Sequence, residues 1–226
     1  MTLNITDLRA FLPSCCDARA AAVSGFPAGE AEKILELFPK ARTVIVIGHH
    51  VRESLEWVWF PFASSRRGVT CAADLHAGFV AEQISCYLAS RGCPSCIVPY
   101  PGASGLLFKD IATRAGLGSR GDHFLLLHHE WGPWIHLRVV LTSAEIAGEQ
   151  PAPAGTEAGA CTHCHRCRDA CPGKAIGDGV FDAGQCNRTQ GELERALGTP
   201  GYAFKCEICL RACPLGTRPA PVRIGK

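Results

Sequence analysis

The sequence contains no apolar run long enough to span a bilayer. The longest, such as Thr43–Gly48, fall far short of the roughly 20 residues that a spanning helix needs. The opening stretch, MTLNITDLRAFLPSCC, has no basic segment ahead of a long apolar run and no twin arginine. No secretory leader is therefore expected, and a cytoplasmic protein is the default reading. Charge of one sign is equally scarce. The 23 Lys and Arg nearly balance the 21 Asp and Glu, leaving +2. That argues against a nucleic acid or an anionic membrane as partner. What remains is an ordinary globular composition, with 47% hydrophobic and 19% charged residues over a length of 226. This suits one sizeable domain, or one with a small appendage.

Cysteine is the exception, with 14 residues. Cytosolic thiols stay reduced, so clustered cysteines there bind metal or do redox work rather than form disulfides. Residues 161–172 read CTHCHRCRDACP, which is C-x2-C-x2-C-x3-C-P, the bacterial ferredoxin run. Three thiolates two residues apart wrap one 4Fe–4S cluster, and the fourth, a helical turn further on, points to another. Residues 206–214 read CEICLRACP, the same motif short of one cysteine, and Cys186 lies between the two runs. The count closes as two clusters of four. One takes Cys161, Cys164, Cys167 and Cys213, and the other takes Cys171, Cys186, Cys206 and Cys209. Paired zinc sites are the competing reading, but zinc ribbons have no need of the proline-ended rhythm. His163 and His165 are expected to face solvent or bond to sulfur rather than ligate.

The first 150 residues alternate helix and strand signals. Ala28–Phe38 reads as a helix with Ile34, Leu35 and Phe38 on one face, and Arg42–Val51 as a buried strand. Ala72–Ser90 is the clearest helix, with Leu75, Phe79, Val80, Ile84, Tyr87 and Leu88 as its apolar stripe and Asp74 away from it. Cys96–Tyr100 reads as a strand and Leu107–Ala115 as a helix stopped by Gly116. His123–His129 and Trp134–Thr142 read as paired strands about a Glu130–Pro133 turn. The expected fold class is α+β, with helices packed on a sheet. The expected domains are residues 1–150, a linker at 151–160, and a ferredoxin-like two-cluster module at 161–226 whose tail from Pro214 is loosely ordered.

The order of these features carries a resemblance. KDIATRAGLG (Lys109–Gly118) precedes a strand, then EWGPW, a second strand ending in LTS, a linker and two cysteine runs with a lone cysteine between. This resembles the epoxyqueuosine reductase family and, more distantly, the iron–sulfur half of reductive dehalogenases. The match is best over residues 107–215. The resemblance implies a nitroreductase-like α/β domain that binds cobalamin, fed with electrons by two 4Fe–4S clusters. It implies a corrinoid site over Gly116, Gly118, Ser119, Arg120 and Gly121, close to the strand that carries Trp134 and His136. The glycines allow close backbone approach, although Gly116 also reads as a helix cap.

The chain departs from that family where VPYPGASGLLFK carries no acid in place of a VD(S/T)xP-type segment. The tRNA-gripping extension of longer members is not expected either. The leading expectation is therefore a cobalamin-dependent or cobalamin-reducing iron–sulfur oxidoreductase. Its expected partners are a low-potential donor of ferredoxin or flavodoxin type and a corrinoid protein. A tRNA-acting epoxyqueuosine reductase and a corrinoid-free electron carrier are the alternatives. Asp74-Leu75-His76-Ala77-Gly78 is one residue short of D-x-H-x-x-G, so no histidine is expected beneath the cobalt. Cys93-Pro94-Ser95-Cys96 follows a helix rather than opening one and reads as bystander thiols. Cys15-Cys16 stays open between a strained disulfide and metal capture. His49-His50 and His128-His129 each read as one core-facing and one solvent-facing ring, and Arg66-Arg67 as a surface pair.

Overall fold

A computed structural model describes residues 3–62, 69–99, 105–147, 161–197 and 206–221. The expected linker and Arg66-Arg67 lie outside the described residues. From the N-terminus the elements are β1 (Leu3–Asn4), α1 (Ile5–Arg9), β2 (Cys16–Ala22), α2 (Ala28–Leu37) and β3 (Thr43–His50). Next come β4 (Phe60–Pro61), β5 (Val69–Thr70), α3 (Ala72–Ser90), β6 (Ser95–Ile97), α4 (Phe108–Arg114), β7 (Ser119–Arg120) and β8 (Leu126–Leu127). The chain continues through β9 (Ile135–Thr142), β10 (Ile146–Ala147), α5 (Arg166–Ala170), α6 (Ala183–Leu197) and α7 (Ile208–Ala212). Two compact units share these elements. Unit 1 is Met1–His50, Asp74–Leu117 and His136–Pro153, and unit 2 is Val51–Ala73, Gly118–Ile135 and Ala154–Lys226.

Unit 1 is built on a four-stranded sheet in the order β2-β3-β9-β6. Strand β3 is buried from Thr43 through His49, as an uninterrupted β-branched run demands of a central strand. β2 runs antiparallel to it, and β6 runs antiparallel to β9. The core packs Ile45 and Ile47 of β3 with Val80, Ala81, Ile84 and Leu88 of α3 and Leu8 of α1. Helix α3 has the expected bounds but a rotated buried face. Leu75 and Phe79 are exposed, Phe79 at 65%, while Ala73, Asp74 and Ala77 are buried. The reason is polar: Asp74 Oδ1 lies 2.8 Å from both His136 Nε2 and Arg138 Nη2. This buried group fixes the helix rotation that an apolar count misjudges. Leu35 of α2 is likewise exposed, whereas Ile34 is buried.

The expected hairpin of His123–His129 with Trp134–Thr142 does not form. Only Leu126–Leu127 is strand, and it pairs with β7. Phe124 has φ 62°, and its N–H donates to the Gly121 carbonyl, closing a tight turn where a strand was expected. β9 pairs with β6 instead. The segment after Cys213 is also more tightly held than expected. A Cβ on Gly216 would stand 2.2 Å from the Trp131 carbonyl carbon, and one on Gly132 would stand 2.3 Å from the Leu215 oxygen. Both glycines have positive φ, so these two backbones touch where only glycine fits. Further on, Ala220 N–H donates to the Arg52 carbonyl and the Ala220 carbonyl accepts from Ser54 N–H. Among the described residues, no helix is long and apolar enough to cross a membrane.

Candidate metal centre

Helices α5 and α7 of unit 2 pack on each other and share one plan. Cys167 lies inside α5 and Cys171 is its C-cap; Cys209 lies inside α7 and Cys213 is its C-cap. In each case the next residue is proline, which cannot continue the helix. The caps then change places. Cys213, from α7, lines one pocket with Cys161, Cys164 and Cys167. Cys171, from α5, and Cys186, near the start of α6, instead act electrostatically on Cys209 together with Cys206.

The electrostatics show what each set requires. Burial first, and then the neighbouring Cys206, Cys171 and Cys186, push the Cys209 thiol up to about 12. Cys167 and Cys213 are pushed up in the same way, first by burial. Four convergent thiolates are unfavourable in such surroundings unless a cationic centre sits among them, and a bound metal reverses the local preference. All-thiol sets of four in this rhythm fit a 4Fe–4S cluster. Amide groups are already aimed at sulfur. Ala175 N–H donates to Cys171 Sγ at 3.3 Å, and Gln190 Nε2 donates to Cys186 Sγ at 3.7 Å. Such bonds tune cluster potential. A Cβ on Gly173 would meet Thr189 Oγ1 at 2.2 Å, so this glycine lets α6 close on the ligand loop.

His163 and His165 are exposed, and both turn to Asp122. Their Nδ1 atoms lie 2.8 and 3.6 Å from its carboxylate oxygens. Asp122 was not legible as part of this centre, because its partner is 41 residues away and no local pattern links them. Asp122, His123 and Leu127 line the first pocket with its cysteines.

The seven residues expected at a corrinoid are divided between the units. Gly116 and His136 belong to unit 1; Gly118, Ser119, Arg120, Gly121 and Trp134 belong to unit 2. Gly116, at φ 77°, follows α4, where the Leu117 N–H reaches back to the Ala112 carbonyl. This is a helix cap. A Cβ on Gly118 would stand 2.2 Å from the Leu127 oxygen, and one on Gly121 would stand 2.7 Å from His123 Cε1. The chain's own packing therefore accounts for all three glycines. His136 is buried and bonded to Asp74, and burial lowers its pKa. Arg120 is exposed. Ser119 Oγ and Trp134 Nε1 are buried with no hydrogen-bond partner among the described residues. Buried polar atoms left this way are costly, and a ligand rich in amides would satisfy them. On this test the fit to a corrinoid rests on Ser119, Trp134 and Arg120.

The remaining histidine and cysteine signals divide. His128 is buried, and its Nδ1 accepts from the Glu130 and Trp131 amides, while His129 is exposed as expected. His49 is buried, and its Nδ1 lies 3.6 Å from Cys16 Sγ. The Cys93 and Cys96 thiols each donate to a nearby carbonyl, of Arg91 and of Ile97.

Known proteins resemble the chain in sequence and in fold. The epoxyqueuosine reductase of Lactococcus garvieae is 37% identical over 113 residues, which is 46% of this chain and 30% of that relative. The chain therefore spans about a third of the length of that curated protein. The crystal structure of epoxyqueuosine reductase with a tRNA-Tyr epoxyqueuosine-modified tRNA stem loop superposes with a TM-score of 0.65 at 18% identity. It covers 93% of this chain and 63% of that one. A reductive dehalogenase, whose structure suggests a mechanism for B12-dependent dehalogenation, superposes with a TM-score of 0.58 at 17% identity, over 82% of this chain and 28% of that one. Both share the mixed α+β fold. No protein-family model matches the chain.

Proposed function

From the premise that the chain belongs to an epoxyqueuosine reductase-like family, structurally related to the reductive dehalogenases, we propose that it is an iron–sulfur oxidoreductase that reduces or processes a corrinoid. The observation that carries the reading is the exchange of Cys171 and Cys213 between the two cysteine sets. Cys161, Cys164, Cys167 and Cys213 would hold one 4Fe–4S cluster, and Cys171, Cys186, Cys206 and Cys209 the other. When bound, the clusters supply low-potential electrons and the corrinoid supplies a reducible cobalt.

The chain's own residues do the rest. The Ala175 amide and Gln190 stabilise thiolate charge at Cys171 and Cys186. Pro172 and Pro214 end the ligand helices and leave each cap cysteine free to serve the other set. Ser119 and Trp134 offer buried polar atoms to corrin amides, and Arg120 offers a cation to the nucleotide-tail phosphate. A ferredoxin- or flavodoxin-type donor supplies the electrons in this reading.

Similarity to epoxyqueuosine reductases favours a second reading, action on tRNA. The stretch from Val98 to Lys109 holds no carboxylate to donate a proton to an epoxide, so we rank it second. Titration of the anaerobically reconstituted protein with cob(II)alamin separates these readings. Retention through gel filtration, with a spectrum free of lower-ligand nitrogen hyperfine splitting, is the expected result. No retention and no spectral change would leave an electron carrier, and conversion of epoxyqueuosine in tRNA would establish the second reading.

A further inference from the structure

Six of the 14 cysteines lie outside the two cluster sets, and two of them meet a histidine inside unit 1. Cys16 opens β2, and the strand register places it opposite His49 on β3. One ligand atom from each of Cys15, Cys16 and His49 lies within 4.8 Å of the others. Cys15 belongs to the turn before β2, so it escapes the alternation that sends successive strand side chains to opposite faces. His49 is buried and the two thiols are half-buried, so the group is shielded without being sealed.

The spacing suits a thiol–imidazole hydrogen bond and equally a pair of metal ligands. Cys16 Sγ lies 3.6 Å from His49 Nδ1. A tetrahedral zinc ion, with bonds of about 2.3 Å to sulfur and about 2.0 Å to nitrogen, sets its sulfur and nitrogen ligands about 3.6 Å apart. His76 supplies the nearest further imidazole: its ligand atom groups with that of His49, not with the two thiols, so its exposed side chain has to turn toward the ion. The ring of His76, on the exposed side of α3, has its centroid 5.3 Å from that of His49. Two thiolates with two imidazoles form a borderline-soft tetrahedral set that suits zinc.

We propose that Cys15, Cys16 and His49, completed by His76, form a structural zinc site that ties the start of β2 to the end of β3 and to α3. The two thiols release their protons as the ion binds, and the four ligands leave no open position for substrate. The site is independent of the iron–sulfur reading, because none of its residues belongs to the cluster sets.

The test uses the full chain, reconstituted anaerobically with iron and sulfide, given zinc chloride and passed over a chelating resin. About one zinc per chain should remain beside the iron, with two sulfur and two nitrogen neighbours in X-ray absorption at the zinc edge. Cys16→Ser and His49→Gln should each weaken zinc retention at least tenfold while iron content stays at the wild-type level. His76→Gln changes an exposed position and does not threaten folding. It should exchange one nitrogen neighbour for oxygen and weaken binding by about tenfold or more, since loss of even an outer-shell partner costs at least about tenfold. The proposal is overturned if the wild type retains no zinc, or if Cys16→Ser retains as much as wild type. It is also overturned if the zinc shell is four sulfurs, or if mass spectrometry finds Cys15 and Cys16 joined as a disulfide.

Discussion

In unit 1 the sheet strand β3 is buried from Thr43 through His49, and Ile45, Ile47, Val80, Ile84 and Leu88 pack against one another. Among the described residues of unit 2, the buried cluster beside the ligands holds Ala175 and Ile176 with Cys167 and Cys171, and Phe181 packs partly buried against it. The two ligand helices α5 and α7 are five residues each, too short to be stable on propensity and without a side-chain N-cap bond. The first unit is thus held by apolar burial, and on the proposed iron–sulfur reading the cysteine region of the second depends on what its thiols bind. Small metal-binding modules behave in this way, since binding free energy there is folding free energy.

The comparison is broken most forcibly by removing iron. Chelation under acid-free, reducing conditions should abolish amide protection over 161–197 and 206–221 while leaving β3 and α3 protected, as read by hydrogen exchange. Equal loss in both units would show that the iron–sulfur region is not a separately stabilised part. Next in size is Asp74→Ala in unit 1, which removes the buried carboxylate that His136 and Arg138 share. Breaking a buried pair of this kind costs about 3–5 kcal/mol, to be read by chemical denaturation with the clusters kept intact.

Gly216→Ala tests the other unit at its backbone. The substitution needs positive φ and meets Trp131 at 2.2 Å, so a loss of about 2–4 kcal/mol is expected. Iron should fall with it, since Cys213 lies three residues earlier. A variant with full iron and unchanged stability would refute the clamp. The smallest expected effect is a pH dependence in unit 1. His136 has a lowered pKa in the folded chain because burial disfavours its charged form. The unfolded chain therefore binds the extra proton near its ordinary value of about 6.5, and stability is full above that pH and falls as pH drops below it. In His136→Gln the slope of melting temperature against pH between about 7 and 5.5 should flatten; an unchanged slope would assign the effect elsewhere.

Much of this difference was legible in the sequence. The β3 run, the bounds of α3 and the α4 helix follow from periodicity, which is a local signal. The rotation of α3 was not, because it depends on a carboxylate that finds partners 62 residues away. The β8 segment misled because Leu126 and Leu127 are apolar, while the positive φ at Phe124 has no signature in that residue type. β2 escaped notice because CDARAAA carries little β-branched character, and its place is set by pairing with β3. At the candidate site the glycines pointed to a ligand, yet their constraint comes from Leu127 and His123. Asp122 joined the centre only through the fold.

The central claim, that Cys171 and Cys213 trade places between two iron–sulfur sites, is tested most directly by iron, sulfide and electron paramagnetic resonance analysis of anaerobic Cys186→Ser and Cys213→Ser beside the wild type. The wild type should carry about eight iron and eight sulfide per chain, and each variant should damage a different cluster, keeping about four of each with the signal of the surviving one. Variants that retain both signals unchanged, or lose the same one, would contradict the account, as would zinc in place of iron at these eight cysteines.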